Sequence, residues 1–329
     1  MTHQAIFFER FGGPEVLQSG AFEDRPLGPR DVRLDVAAFA LNRADLMYLH
    51  GEHYTIPEFP ARIGSEASGI VTEVGADVSE LAVGDRVATI PFFTQDGVQG
   101  TSAVFPADYV VPVPGDLDDV HACAVWMQYL TPYMAFKEVR DLGRGDVVLV
   151  TAAASSAGLG ALQLCRELEI ATVATTRSAA KADLLRASGA TAVVVGDDDL
   201  SAAIAEVSGG RGIDAAFDPI AGDSLSRYVD DLAPGATVFG YGTLSDEQPV
   251  IPVAAMCRAG AVFHPYSLFN HIGIPDQRRR GVELISKAVA GGSLRPRVDR
   301  VFGFADALDA YRYMESNAQA GKIVVTTGA

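Results

Sequence analysis

Cysteine is scarce in this chain: three in 329 residues, Cys123, Cys165 and Cys257, odd in number and widely spaced. That excludes a disulfide framework, or a zinc site built from cysteines, as the organising device, and it fits a reducing cytoplasm. Positive charge is short as well. There are 26 Lys and Arg against 42 Asp and Glu, a formal net charge of −16, so a nucleic-acid phosphate backbone or an anionic membrane surface would be repelled unless a local basic patch intervened. Long apolar runs are missing too. No window approaches the roughly 18 uninterrupted apolar residues of a spanning helix, and the most apolar stretch, near Val147, is broken by small and polar residues. The opening MTHQAIFFERFGG has neither a basic segment leading into an apolar one nor a small-residue cleavage site, and reads as mature protein. What remains is a chain 48% hydrophobic with 33 Gly and 17 Pro. At roughly 150 residues per domain it has room for about two domains and a sizeable core.

The texture changes along the chain. Up to about residue 120, short β segments alternate with turn chemistry: Ala5 to Phe8, then Gly12-Gly13-Pro14, Val32 to Ala38, Ile70 to Val74 and Val87 to Ile90. This reads as an irregular, mostly β domain. From Cys123 the pattern becomes strand and helix in turn, which predicts βαβ units and a parallel sheet. Strands are expected at Asp146 to Ala152, Ala171 to Thr176, Ala192 to Val195, Ala215 to Asp218, Thr237 to Gly240 and Ala261 to Phe263. Helices are expected at Gly158 to Glu169, Ala179 to Ser188, Leu200 to Val207 and Ser224 to Leu232. After Ile274-Pro275 come a helix from Gln277 to Ala290, a strand near Arg300 to Phe302, a helix from Ala305 to Ser316 and a final strand, Lys322 to Thr326. The Pro-rich segment Pro106 to Gly115 approaches the first boundary, and a second is placed near Asn270. The expected division is residues 1–122 and 271–329 in one domain and residues 123–270 in the other.

The segment from Val147 to Gly160 is an apolar strand, a turn of very small residues and a helix start. Such a turn lets a pyrophosphate approach backbone amides at a helix N-terminus, where unpaired N–H groups and the helix dipole favour an anion. Ala153, Ser155 and Gly158 hold the three positions of the G-x-G-x-x-G spacing, with Ser156 and Ala157 between them, and only the last is glycine. A βαβ unit could also carry this turn for packing alone. About 20 residues on, where an acid would bind the ribose of NAD, stand Thr176, Arg177 and Ser178, with Lys181 one helical turn further. Arginine can grip phosphate bidentately, so this group favours NADPH over NADH. The alternative is a solvated helix start.

Several motifs in order carry a family resemblance: Asn42-Arg43-Ala44-Asp45 followed by Gly51, Gly64-Ser65-Glu66-Ala67-Ser68-Gly69, Val83-Gly84-Asp85-Arg86-Val87, Thr131-Pro132-Tyr133, the Ala-Ser-Ser turn, and Gly321-Lys322-Ile323-Val324-Val325. Across nearly its whole length the chain resembles the medium-chain dehydrogenase/reductase superfamily, in its zinc-free quinone oxidoreductase branch. The resemblance implies an α/β fold. A GroES-like, mostly β catalytic domain would pair with a Rossmann domain whose doubly wound parallel sheet binds NADPH, with the active site in the cleft between them. It also implies cofactor contacts from Thr131 and Lys322, and a homodimer formed by edge pairing near Ala261 to Leu268. Tyr241 ends a predicted parallel strand at the carboxyl edge where ligands collect, and is a candidate cofactor contact lining the nicotinamide or substrate pocket, or else an ordinary aromatic lid on the sheet. Many relatives carry Asn-Tyr after the third Rossmann strand, where this chain has Gly196-Asp197. Asp197 to Asp199 read as helix N-capping ahead of Leu200.

In the zinc-dependent alcohol dehydrogenases of that superfamily a Cys opens the motif that begins here at Asn42, a His takes the place of Ser65, and the third ligand falls at Met127 or Gln128. Glu66 or Asp45 alone cannot supply three ligands, and the six His residues show no helical ligand pair. No metal is expected. Without a Lewis acid to lower the pKa of an alcohol, the expected acceptors are already electrophilic: a quinone, or an alkene conjugated to a carbonyl. Hydrogen-bond donors would then stabilise the oxyanion. The candidate catalytic donors are Asn42, Tyr48 and Tyr54. Asn42 could instead hold its loop, and either tyrosine could be a half-buried packing residue. The function expected is hydride transfer from NADPH to a small-molecule quinone or enone. A trans-acting enoyl reductase of a biosynthetic pathway and a catalytically silent NADPH-binding protein are the alternatives.

Overall fold

The computed structural model describes residues 2–53, 55–92 and 96–328. The chain divides into two compact units, Met1–Met127 with Pro296–Ala329, and Gln128–Arg295. Strands β1 (Thr2–Phe8), β2 (Gln18–Glu23), β3 (Asp31–Leu41), β4 (Ala61–Arg62), β5 (Glu66–Val74), β6 (Arg86–Thr89), β7 (Ser102–Pro106) and β8 (Val110–Pro112) belong to the first unit. The second holds β9 (Val147–Val150), β10 (Ala171–Thr176), β11 (Ala192–Val195), β12 (Ile213–Asp218), β13 (Leu232–Gly240) and β14 (Val262–Pro265). Then β15 (Val298–Gly303) and β16 (Lys322–Thr326) return to the first.

Among the described residues the first unit contains a small antiparallel sheet, β2-β1-β4, and a larger mixed sheet in the order β15-β16-β3-β5-β6-β8, with β7 also paired to β3. The centre is β3, of whose eleven residues only Asp35 is exposed. The Pro-rich stretch that approaches the first boundary forms a short helical turn, Ala107–Tyr109, and β8, which pairs with β6 through Val87 and Pro112. Proline is tolerated there because β8 is an edge strand.

The second unit is one parallel sheet in the order β11-β10-β9-β12-β13-β14. This is the doubly wound order in which the chain starts at the centre, runs to one edge, then crosses to build the other half. All four residues of β9 are buried, as a parallel strand covered on both faces requires. The core gathers Val147, Leu149, Val173, Ile204, Tyr228 and Val238.

Two expectations are corrected. The return to the first unit comes at Pro296, not near Asn270. The helix Pro275–Ala290 stays with the second unit because Gly281 lets it close on Leu130 and Tyr133: an added Cβ would come within 2.8 Å of Leu130 Cδ2. Arg280 pairs with Glu138, and Gln163 bonds both backbone groups of Arg295, donating to its oxygen at 3.1 Å and accepting from its nitrogen at 2.8 Å. The helix expected from Ser224 to Leu232 is instead two 3-10 turns, Ser224–Arg227 and Val229–Asp231. Side-chain bonds from Ser224 and Tyr228 to Asp218 hold that segment in its tighter path.

Candidate functional site

In the second unit β9 ends in the small-residue turn and the chain enters the helix Ser156–Glu167. Ser155 is its N-cap, its hydroxyl accepting from Gly158 N–H at 3.1 Å. Gly158 is there for space: an added Cβ would lie 2.7 Å from Ala153 O. Ala153 is buried and its N–H donates to Thr175 O at 3.1 Å, tying the turn to the end of β10. The first two glycines of the ordinary spacing are dispensable here, while the third, which lets the helix close on the turn, is kept.

Beyond β10, Arg177 is exposed, whereas Thr176, Ser178 and Lys181 are partly buried. Ser178 N–H donates to Thr176 Oγ1 at 3.2 Å. At the end of β13, Tyr241 stacks on Phe217 with centroids 3.9 Å apart. The Tyr241 hydroxyl is buried with no hydrogen-bond partner among the described residues. Burial pushes its pKa up. A capped helix N-terminus, a turn closed to the limit and an unsatisfied buried hydroxyl within one unit fit a phosphate-bearing ligand. Thr131 lies in the helix Trp126–Tyr133, and its carbonyl accepts from Tyr266 Oη at 2.6 Å. Asp199 caps the helix Leu200–Ser208 as expected, accepting from Ala202 N–H at 2.9 Å.

Sequence reasoning missed the group at the end of β12. The Asp218 carboxylate is buried and accepts from Thr151 Oγ1 (2.7 Å), Ile220 N–H (2.9 Å), Ser224 Oγ (2.7 Å) and Tyr228 Oη (2.7 Å). Four donors hold a buried charge that would otherwise be costly. They also fix the loop at the carboxyl edge of the sheet, where ligands of such folds collect.

In the first unit the helix Arg43–His50 starts in a buried polar cluster. Asn42 donates to Glu66 Oε2 at 3.1 Å and its Oδ1 accepts from Lys322 Nζ at 2.5 Å. Lys322 also pairs directly with Glu66, and both side chains are fully buried. Glu66 Oε1 takes the Met127 N–H at 2.6 Å. Asp45 accepts from Asn42 N–H (2.8 Å) and Gln99 Nε2 (3.3 Å), and Gln99 in turn accepts from Tyr311 Oη (2.7 Å). Burial pushes the Asp45 carboxyl up to about 7, against the pull of the Asn42 amide and Lys322. Lys322, expected at the cofactor, is therefore found as the buried counter-ion of Glu66. The side chain of Asn42 is occupied at both its ends by the same cluster. Gln99 and Tyr311 carried no local sequence signal.

Tyr48 sits on that helix, half-buried, its ring edge-on to Phe8 at 5.5 Å and to His53 at 5.9 Å. Burial pushes its phenol up to about 12, so it stays protonated and able to donate. Tyr54 lies outside the described residues.

A family model for the alcohol dehydrogenase GroES-like domain matches residues 28–115, and one for zinc-binding dehydrogenases matches residues 188–325. The synaptic vesicle membrane protein VAT-1 homolog of Rattus norvegicus is 31% identical over 97% of this chain and 82% of its own length. The chain belongs to the medium-chain dehydrogenase/reductase superfamily. Within it, a quinone oxidoreductase from Pseudomonas aeruginosa is 27% identical over 97% of this chain and 98% of its own. A mycobacterial structure solved in complex with NADPH superposes with a TM-score of 0.89, 25% identity, and coverage of 99% and 100% of the two chains. The chain falls in the quinone oxidoreductase-like branch of the superfamily, with a GroES-like unit and a Rossmann unit.

The zinc of the second model's description is not matched by these residues. Among the described residues no group of three or more His, Cys, Asp or Glu is set to hold a metal. The Asn42 side chain is bonded to Glu66 and Lys322, and the Glu66 carboxylate is already taken by the Lys322 ammonium. This donor set does not fit a zinc ion.

Proposed function

We propose that the protein is a metal-independent, NADPH-dependent oxidoreductase that reduces a quinone or an alkene conjugated to a carbonyl. The observation that carries this reading is the turn at Gly158, closed to within 2.7 Å of Ala153 O in a sheet of doubly wound order. Beside it lies Arg177 where an acid would select NAD. The relative named a quinone oxidoreductase and the structure solved with NADPH support it. When bound, NADPH supplies a hydride from C4, and with one proton a quinone leaves as hydroquinone and the cofactor as NADP+.

The chain's own residues bind and orient. Amides at the start of the helix Ser156–Glu167 hold the pyrophosphate. Arg177, Thr176, Ser178 and Lys181 hold the 2′-phosphate, and Tyr241 offers its unsatisfied hydroxyl to the ligand. Thr131 is retained as a contact on the resemblance. Tyr48 donates to the acceptor oxygen as negative charge develops there, with Tyr54 as a second donor. Asn42, clamped by Glu66 and Lys322, fixes the start of the helix that carries Tyr48. The edge strand β14, with Val262 52% exposed, supports pairing of two copies into a homodimer. The two buried thiols, Cys123 and Cys165, whose pKa values burial raises, are compatible with a reducing cytoplasm.

The test is anaerobic oxidation of NADPH by the purified protein with an ortho-quinone and an acyclic enone, and NADH as control. Arg177→Ala should lower the preference for NADPH over NADH in kcat/KM by about 10- to 100-fold, the worth of a hydrogen bond to a charged group. Equal use of both cofactors by the unaltered protein would defeat the 2′-phosphate assignment. No oxidation with either acceptor at saturating NADPH would defeat the reductase reading.

A further inference from the structure

Among the described residues other than glycine, left-handed backbone occurs at Asp141, Ala152, Glu169, Ala221 and Asn317. The Cβ of an L residue is crowded in that conformation, and a short polar side chain such as that of Asp or Asn offsets the crowding by bonding locally. Alanine has nothing to bond with. The two alanines, with φ of +45° at Ala152 and +65° at Ala221, are therefore held by their surroundings. Both stand at the carboxyl edge of the second unit's sheet, Ala152 in the small-residue turn after β9 and Ala221 in the loop after β12.

One atom reaches both. Asp218 Oδ1 accepts from Thr151 Oγ1 at 2.7 Å and from Ile220 N–H at 2.9 Å, and these are the residues directly before the two alanines. On its other side the turn is pinned by Ala153 N–H, donating to Thr175 O at 3.1 Å, and by Ser155 N–H, donating to Ala152 O at 3.0 Å. The loop closes through Ser224 N–H, which donates to Ala221 O at 3.1 Å. Asp218 Oδ2 is anchored by Ser224 and Tyr228, and the Asp218 backbone oxygen accepts from Tyr241 N–H at 3.0 Å. Each carboxylate oxygen thus has two donors, which uses all its lone pairs, and a carboxylate turned toward a phosphate would repel it. Asp218 can act on such a ligand only through what it holds. Resting on the reading that this turn takes the NADPH pyrophosphate, we propose that Asp218 is a positioning residue for the cofactor: through Thr151 and Ile220 it fixes the two left-handed alanines and keeps the amides of the turn set for phosphate. A turn ordered in advance leaves less freedom to be lost on binding.

The test measures equilibrium binding of NADPH and of NADH to the unaltered protein, Thr151→Val, Thr151→Ser, Asp218→Asn and the double variant Thr151→Val with Ala152→Gly. Ligand-free melting temperatures and quinone-dependent NADPH oxidation run alongside. Thr151→Val keeps the shape of the side chain and removes its hydroxyl, and it should weaken both cofactors by the same factor, about tenfold, the worth of a hydrogen bond to a charged group. Thr151→Ser keeps the hydroxyl and should bind as the unaltered protein does. Glycine adopts the left-handed conformation freely, so adding Ala152→Gly to Thr151→Val should restore most of the lost affinity. That recovery separates positioning from a general loosening, which a glycine would worsen. Asp218→Asn should show a larger loss, and Thr151→Val carries the test if Asp218→Asn does not fold. Unchanged cofactor affinity in Thr151→Val, an equal loss in Thr151→Ser, or a loss that Ala152→Gly leaves in place would overturn the positioning role. So would a loss confined to NADPH, since NADH carries the same pyrophosphate. If the variants behave as expected and no acceptor oxidises NADPH, the positioning role stands and the reductase reading fails. If the unaltered protein binds neither cofactor, both fall.

Discussion

The two units keep their chemistry in different materials. In the second, the candidate ligand site is mostly backbone: a turn, a helix start and a glycine without which the turn cannot close. In the first, it is a side-chain network whose members meet only through the fold, Asn42 and Lys322 lying 280 residues apart in sequence. A site built from backbone follows whenever the local strand and turn form. A site built from buried charges depends on every partner arriving, because an unpaired charge in a dry interior costs several kcal/mol. Of these two sites, the one around Lys322 should therefore be the more fragile to the loss of a single side-chain partner.

The sharpest way to break this contrast is Lys322→Met. It leaves the fully buried Glu66 carboxylate without its counter-ion, and the expected loss is about 3–5 kcal/mol in urea unfolding. Adding Glu66→Gln should restore most of it, since the charge and its need for a partner then vanish together. A loss below about 1 kcal/mol in the single variant would mean that the pair behaves like a surface one. Asp45 extends the argument to pH. Its carboxyl, raised to about 7 in the folded chain from an ordinary 3.8, keeps its proton where the unfolded chain has lost one. The contribution to stability is fully present below about pH 4, falls by up to about 1.4 kcal/mol per unit as pH rises toward 7, and levels off above. Unfolding free energies of the unaltered protein and Asp45→Asn between pH 4 and 8 should show that slope removed by the substitution.

The same contrast explains what could be read from the chain. Strands such as Ala171–Thr176, Ala192–Val195 and Lys322–Thr326 occur on the residues expected, because small and apolar runs bounded by turn residues carry their own signal. The cap at Asp199 was legible for the same local reason. Where distant partners decide the outcome, local reading failed. Ser224 to Leu232 has a helical pattern, yet Asp218 captures Ser224 and Tyr228. Asn42 and Lys322 were legible as notable residues but not as partners of one carboxylate. Gln99 and Tyr311 gave no sign at all, since a buried hydrogen bond between them has no sequence spacing to betray it. The helix of Pro275–Ala290 was found, but its allegiance rests on Gly281 against Leu130, a contact no periodicity encodes.

The smallest effect is the most exacting test of the backbone-built site. Ser155→Ala removes the hydroxyl that accepts from Gly158 N–H, a cap worth about 1 kcal/mol. It leaves the turn itself intact, because its closure depends on Gly158 and on the bond from Ala153 N–H to Thr175 O. If this helix start holds a pyrophosphate, the freed amide gains a phosphate oxygen as its new acceptor once NADPH binds. The melting temperature of Ser155→Ala should then be lower than that of the unaltered protein without cofactor, and the gap should narrow when NADPH is saturating. A gap of the same size in both states would show that the Gly158 amide does not meet the phosphate, and would tie the turn to packing alone.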